Sequence, residues 1–172
     1  MRTRCIIIFF VIFGCKRNAE KEVYIKEQEN FRIQIESTIP KDDSFFLYYL
    51  DEEVKGKPKF TEEKKLTEKV LGAEAFQKVS FKFPENTYPH QFRIDLGTNK
   101  DQEVIVIRSI KLHYKGQIIS IENDVLDIFF IINKFIDLNA ADGKLRFKKI
   151  ANRKKPFIIA KPILLKKMEL EF

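Results

Sequence analysis

The dominant rhythm of this chain is a period of two. Phe31, Ile33 and Ile35 alternate with Arg32, Gln34 and Glu36. Val79, Phe81 and Phe83 alternate with Ser80 and Lys82, Phe92, Ile94 and Leu96 with Arg93 and Asp95, and Leu145 and Phe147 with Lys144, Arg146 and Lys148. Successive strand side chains point to opposite faces, so each run predicts a half-buried strand. Phe45–Leu50 is an unbroken apolar and aromatic run, which predicts a strand deep in a sandwich core. Val104–Ile107 and Ile110–Tyr114 form a further apolar stretch, and Lys115-Gly116 signals a hairpin before Gln117–Ile121. Turn residues punctuate the runs at Ser37–Asp43, Pro84 and Gly97.

Two segments read both ways. Thr61–Phe76 holds good helix formers and the i, i+4 pair Leu66 and Val70, but it lies among strands and Gly72 interrupts it; strand–turn is the expectation. Val125–Ile136 follows Asn123-Asp124, which can cap a helix, while its β-branched and Phe-rich content argues for strand; one short helix is expected. Asp127, Asn133 and Lys134 break this segment, so it is expected in the core and not across a bilayer. Many short strands with turns between them predict a mainly β chain. The expected fold is a single antiparallel β-sandwich, jelly-roll-like, with one or two short helices. Phe81, Ile94 and Phe129 are expected in its core.

Phe76–Pro84, then Phe92-Arg-Ile-Asp-Leu-Gly97, then Ile105–Tyr114, resembles a stretch of bacterial envelope proteins. There a jelly-roll sandwich similar to carbohydrate-binding modules carries a strand of the form apolar-Arg-apolar-Asp-apolar-Gly. The resemblance covers a small part of the chain. It implies a sandwich and a carbohydrate-related setting, and brings no site residues with it.

The N-terminus adds a location. Arg2 and Arg4 precede an apolar run from Cys5 to Phe13, then Gly14, Cys15 and the polar Lys16-Arg17-Asn18. A basic start, a short apolar region and a small residue before the cut describe an export signal. The run is too short for a membrane span, which needs about twenty residues. Cys15 directly after Gly14 resembles the lipobox of bacterial lipoproteins, from which Phe13 departs. The resemblance implies cleavage before Cys15, lipid on its thiol, and a membrane partner outside the cytoplasm. Residues 1–14 are then a lipoprotein signal, 15–22 a lipidated tether and 23–172 the sandwich. Plain secretion without lipid, and an uncleaved or mis-started N-terminus, are the rival readings.

Of the two cysteines, one leaves with the signal and one carries lipid, so no disulfide or cysteine metal site is expected in the domain. Seventeen Phe can supply the core instead. The net charge of +7 is unevenly spread: Lys144–Met168 holds ten Lys or Arg and no Asp or Glu. Lys148, Lys149, Arg153, Lys154 and Lys155 are expected to form one exposed cationic patch around a loop, directed at an anionic surface or polymer. The plainer alternative is solvated lysines, or lysines guarding sheet edges.

Catalytic patterns are missing from the sequence. There is no G-x-S-x-G, no H-E-x-x-H and no Gly-rich phosphate loop, and His90 and His113 are the only histidines. Asp51-Glu52-Glu53 reads as a solvated turn. No enzyme activity, cofactor or metal is expected, and nucleic acid is not among the expected partners. The loop Asn86-Thr-Tyr88-Pro-His90 offers a second candidate: Tyr88 to stack on a sugar, with Asn86 and His90 to hydrogen-bond it. The lack of Trp weighs against a broad sugar platform. The expected function is a lipid-anchored, non-enzymatic envelope module that binds carbohydrate or a polyanionic envelope polymer. The alternatives are an interaction subunit docking onto a membrane protein complex through apolar strand edges and, third, a small envelope hydrolase.

Overall fold

The structure, a computed structural model, describes residues 29–53 and 56–172. The expected export signal, Cys15 and the whole of the expected tether lie outside the described residues. Eleven strands form two antiparallel sheets. In chain order they are β1 (Arg32–Ile39), β2 (Asp43–Leu50), β3 (Lys65–Val70), β4 (Ala73–Lys82), β5 (Gln91–Asp95) and β6 (Val104–Tyr114). They continue as β7 (Gln117–Glu122), β8 (Phe130–Ile132), β9 (Ile136–Asn139), β10 (Lys144–Phe147) and β11 (Phe157–Ala160). One sheet has the order β4-β1-β6-β10-β9 with β7 also on β6; the other has the order β3-β2-β5-β11-β8. Only β2–β3, β6–β7 and β9–β10 are successive neighbours within a sheet, so every other connection crosses the sandwich.

Side-chain parity places the core. Ile33 and Ile35 of β1 face inward opposite Phe81 and Val79 of β4, while Arg32, Gln34 and Glu36 sit at the surface. Across the second sheet, Leu66, Leu47, Ile94, Ile158 and Ile132 form one continuous row. Phe81 and Ile94 are fully buried, as their alternation predicts. β2 behaves differently from its unbroken apolar sequence. Phe45, Leu47 and Tyr49 enter the core, and Phe46, Tyr48 and Leu50 are half-buried on the outer face. A strand buried on both sides needs a cover on both, and here the outer face carries its own polar cover.

β6 serves two partners along one edge. Val104–Val106 pair with β10, Ser109–Tyr114 pair with β7, and a bulge at Arg108 shifts the register against β1. The extra residue turns the strand's face over, so both Ser109 and Ile110 are buried. Gly143 fills the junction: its carbonyl accepts from Ile107 N–H at 2.9 Å, and a Cβ there would lie 2.1 Å from the Ile107 carbonyl oxygen. Only glycine allows that approach at φ 66°.

Thr61–Phe76 is strand–turn, with one 3-10 turn (Glu62–Lys64) before β3. Val125–Ile136 is not one helix. A 3-10 turn (Asn123–Val125) leads into a single helical turn, α1 (Leu126–Phe129), and the chain then extends into β8. Phe129 is accordingly only partly buried, and Phe130 is the core residue. Neither Asn123 nor Asp124 caps the helical turn, since Asn123 lies within the 3-10 turn and its side-chain amide donates to the Ala140 carbonyl at 3.3 Å, and the β-branched content ends the helix after one turn. A longer helix, α2 (Pro162–Glu171), closes the chain and buries Leu164 and Met168. Pro162 occupies its first turn, where a missing N–H costs nothing. No helix among the described residues is long and apolar enough to cross a membrane.

Candidate functional site

The loop 84–90 joins β4 to β5. Thr87 N–H donates to the Pro84 carbonyl, Asn86 takes a positive φ of 59°, and His90 N–H donates to the Leu50 carbonyl. Asn86 is exposed and lines a concavity of about 570 Å³ with Phe31, Thr87, Tyr114 and Gly116. Tyr88 is half-buried, and its ring packs on Phe31 (5.6 Å), Tyr114 (5.2 Å) and His90 (5.7 Å). Burial, then the charges of Glu169 and Tyr114, push its phenol up to about 12. The three residues therefore part company: Asn86 stands at a concave rim, while Tyr88 and His90 contact each other outside it. Phe172, the last residue, joins the same aromatic cluster through Phe31 and Tyr114.

The basic segment folds back at a tight turn in which Ile150 and Arg153 exchange both backbone hydrogen bonds. Lys148, Lys149, Arg153 and Lys155 are exposed, and Lys154 is half-buried. Their surroundings differ. Lys148 pairs with Asp137 at 3.5 Å, and the field of Lys155 acts on Asp95. Lys149 and Lys154 instead join Lys100, Lys144 and Arg146 around a second concavity of about 570 Å³, lined also by Glu103, Val104 and Phe147. Five cations and one acid thus share one hollow at the Val104 end of β6.

This hollow is built from the residues upward. β10 brings Lys144, Arg146 and Phe147; the loop 97–103 brings Lys100 and Glu103. That loop is pinned at three points. Asp43 Oδ1 accepts N–H donors from Ser44 (2.8 Å), Thr98 (2.7 Å) and Asn99 (3.0 Å). The buried Gln102 accepts from Lys41 N–H (2.8 Å) and donates to the Val104 carbonyl (2.5 Å). The Lys154 ammonium donates to the carbonyls of Lys100 (2.8 Å) and Gln102 (2.6 Å), as a bound cation would. Burial lowers its pKa from the usual lysine range, and Asp43 partly offsets this. Lys144 is shared with Asp142 at 3.3 Å, whereas Lys100, Arg146 and Lys149 have no ion-pair partner among the described residues. Unpaired cations around a hollow offer charge-assisted hydrogen bonds to carboxylate or phosphate oxygens.

A third cluster lies on the outer face of the β2/β5 sheet, and sequence reading did not single it out as a site. Arg93 makes two bonds to Asp95, at 2.6 and 3.0 Å, and its guanidinium lies 4.4 Å from the Tyr48 ring centre, 5.2 Å from Phe157 and 5.3 Å from Phe60. Tyr48 O–H donates to Glu62 at 3.0 Å, and Glu62 also pairs with Lys65. Burial raises the Asp95 carboxyl above its usual range, and Arg93 opposes the shift. The signal was the Arg-x-Asp spacing, which puts both side chains on one face of the strand. The guanidinium is already committed to one carboxylate and three rings, so this cluster covers the outer face of the sheet.

No group of three or more His, Cys, Asp or Glu able to hold a metal occurs among the described residues. Comparison with family models, curated proteins and solved structures finds no match to the chain.

Proposed function

We propose that the chain is a lipid-anchored, non-enzymatic binding module of the bacterial envelope whose ligand is an anionic polymer or carbohydrate. One observation carries this reading: the five-cation hollow formed by Lys100, Lys144, Arg146, Lys149 and Lys154. Like charges gathered around a concavity repel one another, and an anionic ligand relieves that repulsion. Export and anchoring rest on the resemblance of residues 1–15 to a lipoprotein signal. The test compares polygalacturonate with its neutral methyl ester, which has the same backbone without the charge. Saturable binding of the acid form alone supports the reading. Equal binding of both forms refutes the role given to the cations, and binding of neither, with none to phosphorylated dextran, refutes the reading as a whole.

A second reading, docking onto a membrane protein complex, is favoured by a different observation. β8 is a free edge of its sheet, and Ile131 on it is 48% exposed. Ile128 of α1 and Ile163 of α2 are 49% and 52% exposed, on helices that contact each other, with α1 also contacting β8. Charging this edge by Ile131→Lys should abolish association with a protein partner and leave polymer binding intact.

A further inference from the structure

We propose that the hollow's unpaired cations, Lys100, Arg146 and Lys149, are the binding groups for an acidic glycan, and that the ligand is not the headgroup surface of the anchoring bilayer. The proposal rests on the polymer-binding reading above and names its site and ligand class. Three observations carry it.

The first is the division of the basic segment. Lys148, Arg153 and Lys155 share the sequence run but do not line the hollow, and Lys148 lies 3.5 Å from Asp137 in an exposed ion pair. Lys100 comes from a loop more than forty residues away in sequence, and only the fold brings it to Arg146 and Lys149. The second is shape. A headgroup plane meets a flat or convex cationic face, whereas cations around a hollow of about 570 Å³ suit a chain whose anionic groups enter it. Phe147 lines the hollow too, its half-buried ring packed against the core with the Lys154 ammonium 5.8 Å from its centre.

The third is position. β6 runs from Val104, which lines the hollow, to Tyr114 in the aromatic cluster of Phe31 and Phe172. Its eleven residues span about 33 Å at ~3.3 Å each. The described chain begins at Glu29 and ends at Phe172, both beside that far cluster. The hollow therefore lies at the other end of β6 from the residues at which the described chain begins and ends, so neither of those ends covers it.

Two triple variants of equal charge change test this. One is Lys100→Gln with Arg146→Gln and Lys149→Gln; the other is Lys148→Gln with Arg153→Gln and Lys155→Gln. The full chain, purified in neutral detergent, is titrated with polygalacturonate, with phosphorylated dextran and with phosphatidylglycerol vesicles. The first variant should lose at least about tenfold in affinity for the glycans, and the second less than about threefold. Substituting cations without ion-pair partners should leave the melting temperature unchanged, which separates lost binding from lost fold. Polygalacturonate against phosphorylated dextran distinguishes carboxylate from phosphate as the recognised anion. Equal losses in the two variants overturn the site while polymer binding stands. Phosphatidylglycerol vesicles bound as tightly as glycan, and more tightly than neutral phosphatidylcholine vesicles that take up the lipid alone, overturn the ligand class. No binding of either glycan by the unmodified chain overturns the polymer reading itself.

Discussion

Asp43 and Gly97 together hold the loop that presents Lys100. Gly97 sits at φ 109°, and a Cβ there would lie 2.2 Å from Asp43 Oδ2. Gly97→Ala should therefore cost about 2 kcal/mol or more in urea unfolding, from backbone strain and overlap together; a neutral outcome would mean the loop is not fixed as described. Residue-level burial was legible where alternation was strict. Phe81 and Ile94 follow their neighbours into the core, and Phe81→Ala should cost about 3–5 kcal/mol. Parity failed at Phe129-Phe130, where two adjacent rings compete and only the end of a one-turn helix decides between them. Phe130→Ala should accordingly cost more than Phe129→Ala, and the reverse order would contradict the placement of β8. His113 makes a pH prediction. Its ring packs beside Arg32, and burial first, then the charges of Arg32, Lys111 and Lys78, lower its pKa. The fold thus disfavours the protonated form. Stability from this group is fully present above the unfolded value of about 6.5 and is lost as pH falls through the lower folded value. His113→Gln should flatten that decline in the urea midpoint between pH 7.5 and 5; an unchanged slope would place the titration elsewhere.

At the scale of elements, the strands were largely readable because one face of each is apolar and the other polar. The exceptions have physical causes. β6 reads as two apolar pieces because the bulge at Arg108 inverts the parity midway, and a period-two pattern cannot continue across an inserted residue. β2 reads as doubly buried because its outer aromatics serve to pack Arg93 and Lys65, not a second sheet. The helix α2 lies within a Lys-rich run, where its apolar stripe is narrow. Its core contribution is the single i, i+4 pair Leu164 and Met168. Leu164 is fully buried, so Leu164→Ala should cost about 2–5 kcal/mol. A loss below about 1 kcal/mol would mean that the helix only leans on the sandwich.

Over the whole molecule, charge and chain ends are separated. The aromatic cluster of Phe31, Tyr114 and Phe172 gathers both ends of the described chain, and the hollow with Lys100, Arg146 and Lys149 lies at the other end of β6. Sequence could show that the C-terminal third was basic. It could not show that Lys100 would join it, that Lys148 would pair with Asp137, or that Lys154 would turn inward to bind two carbonyls, since each depends on long-range packing. Anchoring makes a prediction of its own: Cys15→Ala should abolish membrane attachment, and mass spectrometry of the membrane-extracted N-terminus should find lipid on Cys15. An unmodified Cys15 would remove the anchor from the account. The measurement closest to the central claim is an amide chemical-shift titration of the isotope-labelled chain with an oligogalacturonate. The account predicts saturable shifts concentrated in residues 97–104 and 144–154, weakening as salt is raised. Shifts confined to 86–90 and 114–116, or no saturable shift at all, would contradict it.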